Sequence, residues 1–233
     1  MITIRKSEDR GHEDHGWLDA RHTFSFARYY DPAHMGFRGL RVINEDRVAP
    51  GRGFSMHPHD NMEIITYLLS GTLRHKDSLG HQADLVPGRV QRISAGTGLM
   101  HSETNASGSE AVHLLQIWLE PNVRNVKPDY AEVALDESGY RDRLGVVAAG
   151  ATKGGGPITI NADARLLAGK LRAGAEDRLT LGPGRYGWVQ VARGAITVDG
   201  VELKQGDGAA ISDAAAVTIR AKEASEVLAF DLA

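Results

Sequence analysis

His57-Pro58-His59-Asp60-Asn61-Met62-Glu63-Ile64-Ile65-Thr66-Tyr67-Leu68-Leu69-Ser70-Gly71-Thr72-Leu73-Arg74-His75 carries the first architectural signal in the chain. From Glu63 to Leu69 the residues are β-branched, aromatic or aliphatic, which suits a strand. Ser70-Gly71 breaks it, and Thr72 to His75 continues beyond the break, so the segment reads as a hairpin. The same grammar extends outward in both directions. Leu40-Arg41-Val42-Ile43 is a strand candidate, with a turn expected at Asn44-Glu45-Asp46. Leu85-Val86-Pro87-Gly88 is a turn, Val90-Gln91-Arg92-Ile93 alternates as a strand, and Val112 to Leu119 is a more apolar one. Later candidates are Leu166 to Leu171, Gly187 to Val191, Ala195 to Val198 and Val227 to Phe230, with Asp199-Gly200 marking a tight hairpin. Short strands at this spacing describe an all-β protein built as sandwiches or barrels.

The 233 residues suffice for one large domain or two small ones. Residues Pro121 to Pro157 are looser, with three prolines, a short helix expected near Asp136–Leu144 and the run Gly154-Gly155-Gly156. That divides the chain into 1–125, a connector at 126–157, and 158–233. Net charge is −3, so the basic surplus that a nucleic-acid binder needs against phosphate is missing, and no direct nucleic-acid partner is expected. With no cysteine, disulfides, thiolate nucleophiles and Cys-based zinc sites are excluded. The charged N-terminal decapeptide has no apolar core like that of a signal peptide, and no apolar run reaches the roughly 20 residues a bilayer span needs. A cytoplasmic protein without membrane contact is the expectation.

All ten histidines lie at or before His113. A histidine-held metal therefore belongs to the first half. Two short pieces stand out, His57-Pro58-His59 and His101-Ser102-Glu103. Residues i and i+2 of a strand share a face, so each piece offers two donors to one side of a sheet. If the two strands are neighbours, three imidazoles and one carboxylate converge, a donor set suited to Fe, Ni, Cu, Zn or Mn. With ten histidines a lone His-x-His is a cheap coincidence; the frame around it is what counts. Glu63 shares the parity of His57 and His59, so a regular strand would aim it inward too. His75, His81 and His113 default to surface or to satisfied core positions. Trp118 and Gln116 are expected beneath the metal strand, with Gln116 able to hydrogen-bond a ligand. Phe24 and Phe26 are expected to fill core or line a pocket. Gly51-Arg52-Gly53 lacks the strand-helix context of a phosphate loop.

The frame resembles the two signature motifs of the cupin superfamily. The first runs from Gly51 through His57, His59 and Glu63 to Gly71, with one extra residue before that last glycine. The second runs Val90, Gly96, Gly98, His101, Asn105, with Val90 in place of glycine and Gly96 in place of proline. These departures, together with His22-Thr23-Phe24-Ser25-Phe26, Tyr30-Asp31-Pro32, Met35-Gly36-Phe37, His75-Lys76-Asp77-Ser78, Ala95-Gly96-Thr97-Gly98 and Gln116-Ile117-Trp118, closely resemble the pirins and bacterial pirin-like proteins. The resemblance is specific over roughly residues 5–125.

The resemblance implies a bicupin of two tandem jelly-roll-like barrels, the first holding one divalent ion, Fe2+, and the second free of metal. Its pattern makes Glu103 the fourth ligand beside His57, His59 and His101, and leaves Glu63 a supporting role. By likeness to the cupin quercetin 2,3-dioxygenases it implies ring-opening dioxygenation of a flavonol-like aromatic substrate with release of carbon monoxide, with Glu103 or Glu63 taking the substrate's hydroxyl proton. Likeness to the eukaryotic pirins implies the alternative, a non-enzymatic regulator whose metal state biases contact with a protein partner.

Overall fold

Strand alternation, more than composition, decides where each side chain of this chain goes. The computed structural model describes all residues 1–233. It contains β1 (Ile2–Arg5), β2 (Gly11–Asp14), β3 (Leu18–His22), β4 (Leu40–Val48), β5 (Gly53–His59), β6 (Glu63–Ser70), β7 (Leu73–Asp77), β8 (Gln82–Leu85), β9 (Arg89–Ser94), β10 (Leu99–Asn105), β11 (Val112–Leu119) and β12 (Asp129–Ala134). One helical turn follows, α1 (Glu137–Tyr140), capped by the Asp136 side chain on the Ser138 amide. Then come β13 (Gly145–Gly150), β14 (Ile158–Ile160), β15 (Ala164–Leu171), β16 (Glu176–Thr180), β17 (Tyr186–Arg193), β18 (Ala195–Val198), β19 (Val201–Lys204), β20 (Gly208–Ile211), β21 (Ala216–Ala221) and β22 (Ser225–Leu232). No helix is long and apolar enough to cross a membrane.

Each half is a two-sheet jelly-roll. In the first, a seven-stranded sheet ordered β12-β9-β6-β11-β4-β3-β2 covers a four-stranded sheet ordered β5-β10-β7-β8. In the second, the seven-stranded order is β1-β20-β17-β22-β15-β13-β14 and the four-stranded order β16-β21-β18-β19. The sheets of each pair are not hydrogen-bonded into a closed cylinder, so the fold is cupin-like without being a sealed barrel. The stretch 126–157 is not free linker: β12 pairs with β9, and β13 pairs with β15. At the other end, β1 pairs with β20.

On β6 the even residues face into the first jelly-roll, where Leu68 meets Leu18, Leu73, Leu85 and Leu114. The odd residues Ile65, Tyr67 and Leu69 face the second half and join a cluster of 23 buried residues drawn from both large sheets, including Leu115, Leu166, Trp188 and Phe230. The second half has its own interior, with Val189, Ile196, Leu203, Ile219 and Val227. Asp199 and Gly200 both have positive φ, as the tight hairpin between β18 and β19 requires.

Two sequence expectations are corrected here. The segments on either side of Ser70-Gly71 are both strands but not a hairpin: β6 pairs with β11 and β9, whereas β7 crosses to the small sheet and pairs with β10 and β8. Asn44, Glu45 and Asp46 do not form a turn; β4 runs straight through them to Val48, and all three are buried. Buried polar groups need partners, and two of the three have them. Asn44 Oδ1 meets His22 Nδ1 at 2.9 Å, and Glu45 accepts from Arg10 at 2.7 Å.

Candidate metal centre

Strands β5 and β10 are antiparallel neighbours, and their register sets His57 directly opposite His101, with Leu99 opposite His59. The i, i+2 rule then brings His59 onto the same face. The three rings sit 4.4 to 4.8 Å apart, centroid to centroid. One ligand nitrogen from each lies within 4.8 Å of the others. His59 Nε2 and His101 Nε2 face each other at 2.9 Å. His57 Nδ1 is 2.7 Å from the Ser55 carbonyl, which only accepts, so the proton sits on Nδ1 and the Nε2 lone pair is left free. A shift of register between His101 and Glu103 lets β10 continue past Phe54 and Gly53. A side chain at Gly53 would strike the Glu103 carbonyl, its Cβ falling 2.3 Å away, so glycine permits this approach.

Glu103 is 3% exposed. Its Oε1 accepts from Thr66 at 3.2 Å and from Gln91; its Oε2 accepts from Gln116 at 3.1 Å. These donors rise from β6, β9 and β11 of the facing sheet and fix the carboxylate's orientation. Gln116 thus takes the role expected of it, and Trp118 packs edge-on to His59 at 5.0 Å. Glu103 groups most tightly with His101 and His75 rather than with all three motif histidines. The default reading of His75 missed its proximity. It is fully buried, its Nε2 lies 3.2 Å from Asp77, and its ring lies 5.5 Å from His101. β7 lies in the small sheet and pairs with β10, not with β6, and that register sets His75 opposite Glu103.

Glu63 is not at this centre. It points to the other face of β6, toward the second half, where Ser94 Oγ donates to it at 2.8 Å and Asn161 Nδ2 at 3.2 Å. The parity argument failed because β5 and β6 belong to different sheets. The chain turns at Asp60-Asn61-Met62, with Asn61 at φ +43°, and strand parity does not carry through a turn. Glu63→Gln should therefore leave metal stoichiometry unchanged, as metal analysis of the purified variant will read.

Burial, reinforced by His57, holds the His59 imidazole pKa down to about 4. Burial, with His57, His59 and His75 next, holds His101 down to about 2. Both rings are neutral at neutral pH, the state in which imidazole binds metal. In metal-free protein at pH 5 both should still show neutral-ring nitrogen shifts by NMR, whereas a free histidine is charged there. Burial raises the Glu103 carboxyl above its ordinary range, with His75 and the Thr66 hydroxyl pulling the other way.

The histidines open on a cavity of about 70 Å³ lined by Phe26, Asn44, Asp46, Leu114, Gln116 and Trp118 among others. Phe26 and Trp118 also border an apolar groove of about 310 Å³ formed with Tyr29, Tyr30, Met35 and Met62. The two phenylalanines of Phe24-Ser25-Phe26 divide the alternatives between them. Phe24 packs on Trp188 in the shared core, and Phe26 meets Trp118 edge-on at the pocket.

The sequence model of the pirin family matches residues 3–119, and that of the quercetinase C-terminal cupin domain matches residues 146–232. The chain is 43% identical over 232 residues to a quercetin 2,3-dioxygenase of Escherichia coli K12, covering 100% of this chain and 99% of that one. This chain belongs to the pirin family. A second pirin relative, a pirin-like protein of Caulobacter vibrioides, is 40% identical over the full length of both. Among solved pirin structures, YhhW from Escherichia coli superposes with a TM-score of 0.95 at 42% identity, over 100% of this chain and 98% of that one. The same bacterial pirin in complex with nickel(II) superposes at 0.93, with 42% identity, over 100% and 99%. Several further relatives are named only as putative quercetin 2,3-dioxygenases.

The donor set fits a divalent transition metal. Three imidazoles share one point, two of them with nitrogens aimed at each other, and an anchored carboxylate lies beside them. A cation between them would take both Nε2 lone pairs at once, whereas without it one ring must turn an Nε2–H toward the other to avoid repulsion.

Proposed function

We propose that this pirin is a metal-dependent oxidoreductase of the quercetin 2,3-dioxygenase type, opening the ring of flavonol-like substrates with release of carbon monoxide. In this reading His57, His59, His101 and Glu103 hold one divalent ion, Fe2+ or Ni2+. The observation that carries it is the convergence of three imidazoles, those of His59 and His101 with depressed pKa values, at a small cavity that opens onto an aromatic groove. The name of the 43% identical Escherichia coli relative and the nickel complex of YhhW support it.

A bound ion supplies a Lewis acid for the substrate's oxygens and a redox-capable centre for reaction with dioxygen. The protein supplies the rest. The cavity of about 70 Å³ has room for the reacting atoms of a polycyclic substrate, not for its whole body. The remaining rings lie along the groove of about 310 Å³, where Phe26, Tyr29 and Trp118 offer aromatic faces and edges and exclude water. Thr66, Gln91 and Gln116 hold Glu103 in place. Oε2 accepts from Gln116 alone and keeps one lone pair, which serves the ion or the substrate's hydroxyl proton but not both at once. Glu63 has no part in this step.

The test is aerobic turnover of quercetin by iron- or nickel-loaded protein, read as loss of its visible absorbance with carbon monoxide release. Absence of turnover with any metal overturns the reading. In that case a pull-down that depends on metal oxidation state examines the regulatory alternative.

A further inference from the structure

The wall of the cavity opposite the histidines is strand β4, and it carries a carboxyl with no task so far. Asp46 stands across from Leu114 in the register of β4 with β11, two residues along from Asn44, so both side chains face inward. It is 4% exposed and lines the same cavity as His57, His59 and Glu103. Its neighbours on β4 are satisfied: Asn44 by His22, and Glu45 by Arg10 and His113. Asp46 has no hydrogen-bond donor and no cation beside it; what surrounds it is burial and the carboxylates of Glu103, Glu45 and Asp19. A buried carboxyl without a donor is costly, and no side chain of the fold satisfies it.

Glu103 Oε2 cannot both coordinate an ion and keep a substrate proton. Asp46 is under no such conflict, because it belongs to the facing sheet and to neither motif strand. Whether ionised or protonated, a carboxyl retains an oxygen that accepts.

We propose that Asp46 contacts the substrate, accepting the hydrogen bond of the hydroxyl that a flavonol-like ligand brings to the ion. The inference rests on the reading under Proposed function and divides its labour: Glu103 is a ligand, and Asp46 recognises the hydroxyl. The pocket then selects ligands that present a donor beside their metal-binding oxygen. It does not favour small anions without a donor, which leave the accepting oxygen of Asp46 unpaired.

The experiment uses full-length nickel-loaded protein and Asp46→Ala, with metal content measured for both. Two probes are titrated, 3-hydroxyflavone, which carries one hydroxyl beside a carbonyl, and azide, which carries no donor. Binding is read from the flavone absorbance and from the nickel ligand-field spectrum, independently of turnover. The expected result is equal metal content, 3-hydroxyflavone weakened roughly 10-fold or more by loss of its hydrogen bond to the buried carboxyl, and azide bound as well or better. Equal 3-hydroxyflavone affinity in the two proteins overturns the assignment, as does parallel weakening of both probes, the mark of a merely structural role. Failure of the wild-type protein to bind 3-hydroxyflavone at all sinks the substrate reading itself and this inference with it.

Discussion

Replacing His101 with alanine is expected to strip the protein of its divalent ion while leaving the second half folded. His101 is fully buried at the crossing of both possible donor groups, the one with His57 and His59 and the one with His75 and Glu103. No other residue belongs to both. Loss of a partner that merely orients a ligand costs about 10- to 100-fold in metal affinity, so loss of this ligand should cost at least ~100-fold. Metal analysis after gel filtration should fall from one equivalent to near none. Trp118, edge-on to His59 at 5.0 Å, gives a second readout, since its emission should respond to added nickel in the parent and not in the variant. The second half should keep its strand signal in circular dichroism, because its interior, from Val189 to Val227, contains no residue from the metal strands. Full metal occupancy in His101→Ala, or in His57→Ala/His101→Ala, would contradict the ligand assignment.

Phe230→Ala should produce the largest loss of stability, about 3–5 kcal/mol. Phe230 lies mid-strand on β22, between Leu166 on β15 and Trp188 on β17, and is fully buried. Its side chain belongs to the core shared by the two large sheets, with Ile65 and Leu115 on the other side. The cavity left by an alanine is walled by strands whose backbones are hydrogen-bonded on both sides, so it collapses poorly. Because that core is common property, urea unfolding followed by Trp188 and by Trp118 should shift together to lower denaturant. A loss under ~1 kcal/mol, or a shift confined to Trp188, would show that the halves are not bound through this cluster.

Much of this was legible from residues alone. The strand from Glu63 with its break at Gly71, the Asp199-Gly200 turn and the late strands follow from local propensity and turn chemistry, which act over a few residues; the hairpin expected across Gly71 does not, because its two arms join different sheets. Strand parity placed the two donors of His57-Pro58-His59, and those of His101-Ser102-Glu103, on one face each; that the two strands are neighbours was only a condition, which the β5–β10 register supplies. What escaped depended on geometry between pieces. Glu63 was misplaced because parity was carried through the turn at Asn61 into a strand of another sheet. Asn44-Glu45-Asp46 looked like a turn because three polar residues in a row usually signal solvent. Here they signal a strand buried on both faces, with Glu45 serving Arg10 and His113 on one side and Asn44 and Asp46 facing the pocket on the other. A polar run inside an otherwise apolar strand was the available clue to function. His75 and the pairing of Ile2–Arg5 with Gly208–Ile211 needed register between strands distant in sequence, which no local pattern encodes.

The central claim is that β5 and β10 aim three imidazole nitrogens and one carboxylate oxygen at a common ion. X-ray absorption at the metal edge of zinc-loaded protein tests it most directly. The predicted spectrum is a shell of nitrogen and oxygen scatterers at about 2.0–2.2 Å, with multiple scattering from three imidazoles that drops to two in His57→Ala. A shell of light scatterers showing one imidazole or none, unchanged by that substitution, would contradict the account.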